Sequence, residues 1–394
     1  MRRTELSEGL RRMKFEAVLG RWRRRELDQM EAAEILGMTE RTFRRWYRRY
    51  EEDGTEGLAD RRLGKPSAKR VPEGWADRVE DLYRERYLGF NARHFWEHLV
   101  KDHGFPYSYS WAKTFLHRRQ LVPLTARKGP HRKKRPRRPL IGMMLHQDGS
   151  RHRWIPGLAA DLDLIVTMDD ADSRIYSAFL VEEEGTMSSL RGLREVIERH
   201  GLFCALYTDR GSHYFETPQA GGKVDKDRPT QLGRALAQLG IEHIAAYSPE
   251  ARGRSERMFA TLQDRLPKEL TLAGITTSAA ANRFLDEVYL PAQNARFAVK
   301  PEAAGAAFVP DRAGAWRDIV CVQEERTVGN DNTVRYHRRV LQLPPSPLRA
   351  HFVRAKVRVH HYPDDSLAVF HGPRCLARYA ADGRLLDRAQ VRAA

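Results

Sequence analysis

Two apolar runs, Leu162-Asp-Leu-Ile-Val-Thr-Met168 and Ile175-Tyr-Ser-Ala-Phe-Leu-Val181, flank a short polar turn and decide the fold of the central part of the chain. Both are rich in β-branched and aromatic residues and have the length of buried strands. Similar runs occur at Met143–Gln147, Phe203–Tyr207 and Ile241–Tyr247. Helical periodicity covers Ser188–Arg199, Gln231–Leu239, Gly253–Leu270 and Ser278–Asn294. Strands followed by alternating helices predict a layered α/β core.

Three acidic residues stand at informative places in this pattern. Asp148 is expected to end the first strand and Asp209 the fourth, whereas Glu256 is in the first turns of a helix. Functional groups collect at the carboxyl ends of strands in an open sheet. If the first and fourth strands are neighbours, both aspartates point into one crevice, and the helix of Glu256 packs across that edge. Gly149 and Gly211 would let the backbone turn away after each aspartate.

Three carboxylates in one pocket suit metal-dependent chemistry on phosphodiesters. Two Mg²⁺ ions can activate the attacking oxygen and stabilise the leaving oxygen, and Mg²⁺ prefers hard oxygen ligands. Carboxylates ~4 Å apart repel by roughly 4 kcal/mol per pair at an effective dielectric of about 20, so such a site needs cations. Taken singly, each aspartate could be a turn residue, and Glu256 could be an ion-pair partner of Arg252 or Arg257.

Other acidic residues near this pattern receive a structural interpretation. Asp169, Asp170 and Asp172 are in the turn between the second and third strands, so we expect turn and salt-bridge roles for them. His146 would share the strand face of Asp148, because alternate residues of a strand point to the same side.

The N-terminal part of the chain has the layout of a helix-turn-helix. Ala33, Ile35 and Leu36 form an apolar face, Gly37 permits a tight turn, and Thr39 can cap the next helix. That helix carries basic residues at helical spacing, which is typical of a recognition helix in a major groove. Its candidate DNA contacts are Arg41, Arg44, Arg45, Arg48 and Arg49. A solvated amphipathic helix is the alternative.

Further helices and basic residues follow. Trp75–Leu88, Asn91–His103 and Ser108–Arg119 are predicted helices whose layout suggests a second helix-turn-helix. The stretch Thr125–Pro139 is basic and interrupted by prolines, so it is predicted to be an extended connector that follows a phosphate backbone. The remaining candidate DNA contacts are Arg132, Lys133, Lys134, Arg135, Arg252, Arg254 and Arg257.

The charge of the chain is unevenly distributed. The 394 residues are 41% hydrophobic, which is sufficient for several globular domains. The formal net charge is +17, and nearly all of the excess lies in residues 1–140. This asymmetry indicates a polyanionic partner, DNA or RNA. A merely soluble basic protein or a membrane-surface binder is the alternative.

The cysteines and the hydropathy pattern bear on the cellular compartment. Cys204, Cys321 and Cys375 lie far apart without a CxxC pair, so they predict neither a disulfide framework nor a zinc finger. The sequence has no apolar signal region and no run of about 18 apolar residues. We therefore expect a cytoplasmic, nucleoid-associated protein of a prokaryotic cell, with no membrane partner.

Several segments resemble transposases of the DDE superfamily, and the ISNCY-type insertion-sequence group most closely. These segments are Gln147–Ser150, Asp169–Arg174, Thr208–Ser212, Ser248–Arg257 and Met258–Glu269. The resemblance spans nearly the whole chain. It implies a ribonuclease-H-like catalytic core similar to that of retroviral integrases, with Asp148, Asp209 and Glu256 as ligands of Mg²⁺, for which Mn²⁺ would substitute.

Two departures from the integrase pattern accompany this resemblance. The interval between Asp209 and Glu256 is longer than the integrase-like norm, and a polar, glycine-rich insertion at Tyr214–Thr230 accounts for the excess. Arg252 stands before Gly253 where relatives often have asparagine, and an arginine there would favour contact with phosphate. The zinc-binding module of retroviral integrases is absent, so the resemblance implies no structural zinc.

The expected architecture is multidomain, with N-terminal all-α helix-turn-helix modules, a central α/β ribonuclease-H-like core and a small C-terminal β domain. The expected boundaries are 1–60 for the first helix-turn-helix domain, 61–124 for the second helical domain, 125–140 for the basic linker, 141–310 for the core and 311–394 for the β domain.

The resemblance implies that such a protein binds the terminal inverted repeats of a mobile element and catalyses phosphodiester hydrolysis and strand transfer. Its partners would be the double-stranded DNA of the element ends and of the target. Because two ends must be held together, we expect a homodimer or a larger assembly. One alternative is a catalytically inactive, transposase-derived DNA-binding regulator. Another is a nuclease without strand transfer, which would need no paired helix-turn-helix modules.

Overall fold

The computed structural model describes most of the chain, and it divides into two compact units, Met1–Glu80 and Asp81–Ala394. The described residues are 3–59, 71–124, 135–218, 222–225, 227–247, 252–311, 314–346 and 349–386.

The first unit is helical. It contains α1 (Arg3–Arg23), α2 (Gln29–Ile35), α3 (Glu40–Asp53) and the beginning of α4 (Glu73–Glu85). Asp28 caps α2 in a capping box with Glu31, and Thr39 caps α3. Its core is built on Phe15, Ala32, Ala33, Phe43 and Leu58. The predicted helix-turn-helix is present, but Ile35 is exposed, whereas Ala33 and Leu36 pack in the core as the apolar face predicted.

Two further helices belong to the second unit. These are α5 (Ala92–His103) and α6 (Tyr109–Arg118), which are capped by Asn91 and Ser108. On α5, Glu97 accepts a hydrogen bond from Arg265 at 2.8 Å, so this helix contacts the core. The boundary expected after residue 124 stays a prediction.

The core of the second unit is a five-stranded mixed sheet in the order β3-β2-β1-β4-β5. Strands β1, β2 and β3 are antiparallel neighbours, whereas β4 and β5 run parallel to β1. The bounds are β1 (Leu145–His152), β2 (Leu162–Asp169), β3 (Ile175–Val181), β4 (Ala205–Thr208) and β5 (Glu242–Ala245). The adjacency of the first and fourth strands, on which the predicted crevice depends, is therefore present.

Helices cover the sheet with two separate apolar clusters. One cluster contains α7 (Thr186–His200) and α8 (Gln231–Leu239), and the other contains α9 (Gly253–Leu272) and α10 (Ser278–Phe284). A π-helical turn, Leu285–Tyr289, and α11 (Leu290–Phe297) follow α10, where the sequence predicted one continuous helix. Pro291 has no N–H to donate to the preceding turn, which accounts for the change in helical geometry.

The sequence predicts that Asp148 ends the first strand, and this prediction is wrong. Asp148 lies in the middle of β1, opposite Val166 of β2, and the pairing continues to His152 opposite Leu162. The polar residues after Asp148 suggested a turn, but they remain extended because the buried strand β2 supplies hydrogen-bonding partners along their whole length.

The C-terminal region forms a small β domain, as predicted. Its four-stranded sheet has the order β11-β10-β9-β6, and a separate hairpin joins β7 and β8. The strands are β6 (Val322–Thr327), β7 (Thr333–Tyr336), β8 (Arg339–Gln342), β9 (Lys356–His361), β10 (Leu367–His371) and β11 (Arg374–Tyr379). A short helix, α12 (Trp316–Ile319), packs with the apolar cluster of α7 and α8. Of the helices in the described ranges, none is long and apolar enough to cross a bilayer.

Candidate active site

The register of the central strands sets the positions of two of the predicted acidic residues. β1 and β4 run parallel, with His146 opposite Tyr207. Asp148 and Asp209 each lie two residues beyond this pair. Because a two-residue step returns to the same face of a strand, both carboxylates leave the sheet on one side. The predicted convergence of these two aspartates therefore follows from the strand pairing.

A single arginine connects the two aspartates. The guanidinium of Arg252, the residue that precedes α9, forms an ion pair with Asp148 and lies 3.4 Å from Asp209. Asp209 also accepts a hydrogen bond from the N–H of Gly211 at 2.8 Å. A positive charge thus lies between the carboxylates at the position where a metal ligand set would hold a cation.

The surroundings of Asp148 disfavour its negative charge. The residue is 8% exposed, and burial raises the pKa of its carboxyl group to about 6 although the ion pair with Arg252 lowers it. The charges of Asp209 and Glu184 raise this pKa further. An additional positive charge in the pocket would therefore favour the ionised form.

Glu256 lies at the beginning of α9, one helical turn after Arg252. Residues four positions apart share a helix face, so Glu256 projects from the side of the helix that also bears the aspartate-binding arginine. Its side chain is exposed, and the described part of the chain offers it no hydrogen bond or ion pair. α9 is held on β1 by a 3.0 Å hydrogen bond from Gln263 to Ser150. A shared metal site with the aspartates stays a prediction.

Glu184 is a carboxylate near this pocket that the sequence analysis missed. Tyr214, which is buried at the beginning of the glycine-rich insertion, donates a hydrogen bond to Glu184 at 3.4 Å. Glu184 also approaches Gly149 so closely that a Cβ there would overlap its carboxylate. A glycine inside a strand often marks such a close approach. Gly149 was interpreted as a turn residue instead, so this signal was present but misread.

Gln147 joins β1 to the helix that follows Glu184. Its amide nitrogen donates to the hydroxyl of Thr167 and to the carbonyl of Ser189, both at 3.1 Å. A Cβ at Gly192 would lie 2.6 Å from this amide nitrogen, so α7 needs a glycine to pack this closely. The buried amide fixes α7 beside the strand that carries Asp148.

Asp170 belongs to a different, saturated charge cluster. Its fully buried carboxylate bonds to His146 at 2.7 Å, to Arg135 at 2.5 Å, to the N–H of Arg138 at 2.7 Å and to the guanidinium of Arg254. Burial alone would raise the pKa of Asp170, but these donors hold it well below its usual range. The salt-bridge role predicted for Asp170 is therefore present in the structure.

Two predicted DNA contacts, Arg135 and Arg254, belong to this cluster, together with the strand residue His146. His146 is buried against Asp170. Arg254 and Arg135 also direct their guanidinium groups to Asp170, while Arg257 is exposed. DNA contacts by Arg135, Arg254 and Arg257 stay predictions.

The arginines of α3 that are predicted to contact DNA differ in exposure. Arg41, Arg44, Arg45 and Arg48 are exposed on α3, whereas Arg49 is half-buried and donates to the carbonyl of Ala59 at 2.9 Å. The other basic candidates, Arg132, Lys133 and Lys134, lie outside the described residues. Contact with DNA at these positions is not tested.

The donor set of the pocket fits a hard divalent cation. Asp148 and Asp209 provide carboxylate oxygens, which Mg²⁺ prefers, and the Arg252 guanidinium stands in for a cation between them. In the described residues, neither histidine nor cysteine contacts Asp148 or Asp209 through a hydrogen bond or ion pair.

The chain thus combines a helical unit that contains a helix-turn-helix with a mixed α/β core that carries the acidic pocket. Residues 16–67 match a model described as a helix-turn-helix domain, and residues 42–116 match one described as a homeodomain-like domain.

Two relatives are similar over most of the chain. A protein of Sinorhizobium fredii that is named as a transposase, y4bF, is 30% identical over 348 residues, which are 87% of this chain and 75% of the relative. The transposase for insertion sequence IS1202 of Streptococcus pneumoniae is 24% identical over 81% of this chain and 75% of its own length. The chain belongs to the transposase family.

Solved structures of viral integrases share a weaker likeness. A simian T-cell lymphotropic virus intasome chain matches 74% of this chain and 91% of its own, with 14% identity and a TM-score of 0.36. The HTLV-2 integrase catalytic core in complex with magnesium matches 38% of this chain and 89% of its own, with 15% identity and a TM-score of 0.29.

Proposed function

We propose that this insertion-sequence transposase binds the terminal inverted repeats of its element and uses Asp148, Asp209 and Glu256 for Mg²⁺-dependent phosphodiester hydrolysis and strand transfer. One observation supports the proposal most directly. Asp148 and Asp209 both approach the guanidinium of Arg252, which lies at the beginning of the helix that bears Glu256. With these three ligands the protein would be a polynucleotidyl transferase of the DDE type, and Mn²⁺ would substitute for Mg²⁺.

Each residue of the pocket would have a separate role. Two metal ions, when bound, activate the attacking oxygen and stabilise the leaving oxygen. Asp148 offers a rigid carboxylate from the middle of a strand, and Asp209 offers one that is held by Gly211 N–H. Glu256 is free to turn toward them from an exposed position. Arg252, once replaced by metal, has a guanidinium suited to contact a DNA phosphate.

DNA recognition would rest on the first unit and on basic residues of the second. The exposed arginines of α3, Arg41, Arg44, Arg45 and Arg48, suit the major groove. Arg257, which is exposed beside Glu256, would contact phosphate. Holding two element ends at once requires at least two copies of the chain, so the active form is a dimer or a larger assembly, located in the cytoplasm.

The test uses the full chain with labelled duplexes taken from the DNA that flanks its coding region, in Mg²⁺ or Mn²⁺. Asp148→Asn, Asp209→Asn and Glu256→Gln should each reduce joined product by at least about 1,000-fold and leave binding of the duplex intact. Asp161→Asn is the matched control, because Asp161 is exposed and pairs only loosely with Arg153 at 3.5 Å.

Each outcome distinguishes the alternatives. Joined product that persists in any of the three variants removes that residue from the proposed site. Wild-type protein that binds the ends without cutting or joining them would be an inactive regulator. Shortened strands without joined product would identify a nuclease.

A further inference from the structure

Away from the acidic pocket, two histidines and a glutamate converge between α5 and α9. His94 and His98 are one turn apart on α5, and Glu269 faces them from α9. The same oxygen of Glu269 lies 2.6 Å from Nε2 of His94 and 3.0 Å from Nε2 of His98. The three ligand atoms all lie within 4.8 Å of one another. The side chains of His94 and His98 are only 1% and 11% exposed.

The hydrogen bonds of His98 require a cation in this cluster. Its Nδ1 lies 2.6 Å from a carboxylate oxygen of Asp102, which cannot donate when ionised, so Nδ1 carries the proton. In a neutral ring, Nε2 is then a lone pair that faces the oxygen of Glu269. Two acceptors 3.0 Å apart repel each other unless a proton or a metal ion lies between them.

We propose that His94, His98 and Glu269 bind one divalent transition-metal ion of the zinc class, which clamps α5 onto α9. Two imidazole nitrogens and one carboxylate oxygen form a ligand set that suits Zn²⁺ and its neighbours, whereas Mg²⁺ prefers oxygen ligands alone. Asp102 behind His98 is the outer carboxylate that orients a metal-binding imidazole. Water would complete the coordination.

The neighbouring basic side chains leave this position open for an ion. Arg265 and Arg296 both bind Glu97, at 2.8 and 2.6 Å, and Lys268 binds Asp264 at 2.5 Å. Burial lowers the pKa of His94, which favours the neutral imidazole that a metal ligand requires. The competing cation is a proton on His98, because its hydrogen bonds with Glu269 and Asp102 outweigh burial and raise its pKa.

The position of the site gives it a structural role. α9 begins next to Glu256, and Glu269 lies near its other end. An ion at this end would fix α9 to α5. The site is thus separate from the Mg²⁺ pocket and goes beyond the proposed transposase chemistry.

The test is a Co²⁺ titration of the full chain after dialysis against a chelator. Wild type should bind one Co²⁺ with the intense visible absorption of a low-coordinate site, and Zn²⁺ should displace it. His98→Gln and Glu269→Gln should weaken binding by at least about 100-fold, and Asp102→Asn by about 10-fold. His351→Gln, which changes an exposed histidine of the β domain, is the matched control and should bind as wild type does.

A second variant at His98 shows whether lost Co²⁺ binding reflects a lost ligand or misfolding. His98→Cys retains a metal ligand and should bind Co²⁺ with a new thiolate charge-transfer band. Asp209→Asn should leave the Co²⁺ spectrum unchanged, which separates this site from the proposed catalytic pocket. Absence of the intense visible Co²⁺ absorption in wild type, or equal Co²⁺ affinity in wild type and Glu269→Gln, would overturn the proposal and leave a proton as the shared cation.

Discussion

Asp148 lies within β1 and Asp170 directly follows β2, and the two buried carboxylates have opposite surroundings. Asp170 is fully buried and bonds to His146, Arg135, Arg254 and a backbone N–H. In the described part of the chain, the ion-pair partner of Asp148 is Arg252, which is shared with Asp209.

This difference separates a carboxylate whose charge is compensated by several donors from one whose charge is compensated only in part. Donors from several elements hold the pKa of Asp170 well below its usual range despite burial. Burial raises the pKa of Asp148 to about 6, because one shared arginine does not compensate for it. Burial is therefore common to both carboxylates, and the number of fixed donors around each one distinguishes Asp170 from Asp148.

The largest expected effect is on stability and comes from the saturated cluster. Asp170→Asn should lower the free energy of unfolding by about 3–5 kcal/mol, because the basic groups around it lose their buried counter-charge. Asp161→Asn, at an exposed pair, should change it by less than about 1 kcal/mol. Urea unfolding of both variants measures the difference. A loss at Asp170 no greater than that at Asp161 would contradict the structural role.

The next effect depends on pH and concerns Asp148. Its pKa is raised to about 6 in the folded chain, so its contribution to stability is full below pH ~4 and is lost as the pH rises through about 6. Asp148→Asn lacks this loss. Between pH 4 and pH 7, the free energy of unfolding of the variant should therefore rise by about 3 kcal/mol relative to that of wild type.

Paired urea titrations in a metal-free buffer at several pH values measure this gain. Asp161→Asn again serves as the control and should follow wild type across the range. If the difference in free energy of unfolding between Asp148→Asn and wild type stays constant with pH, the charge of Asp148 does not destabilise the folded state.

The smallest effect concerns the arginine between the aspartates. Arg252→Ala removes a cation that competes with metal, so the DNA-free protein should bind Mn²⁺ about fivefold more tightly, a change of about 1 kcal/mol. Arg257→Ala is the control, because Arg257 is exposed on the next turn of the helix and should leave the affinity unchanged. Calorimetry measures both. Weaker binding by Arg252→Ala would mean that the arginine supports the metal site.

Local patterns predicted the regular elements of the core well. The strand predicted at Ile175–Val181 and the helix predicted at Gln231–Leu239 have the bounds seen in the structure. Both have strong periodicity and clear ends, which are properties of neighbouring residues. The prediction was wrong where a distant partner decided the conformation. Asp148 lies within β1 because β2 pairs with the polar residues that follow it.

The sequence alone determined the helix-turn-helix and the α/β order of the core, because residue type and spacing encode these features locally, and it singled out the candidate acidic residues. Only the tertiary structure decided which charges are satisfied. It placed Arg252 between Asp148 and Asp209, surrounded Asp170 with donors, and brought Glu184 to Gly149 and Glu269 to His94 and His98. These contacts join residues far apart in the chain, so the folded sheet and its helices must exist before the electrostatics of the pocket can.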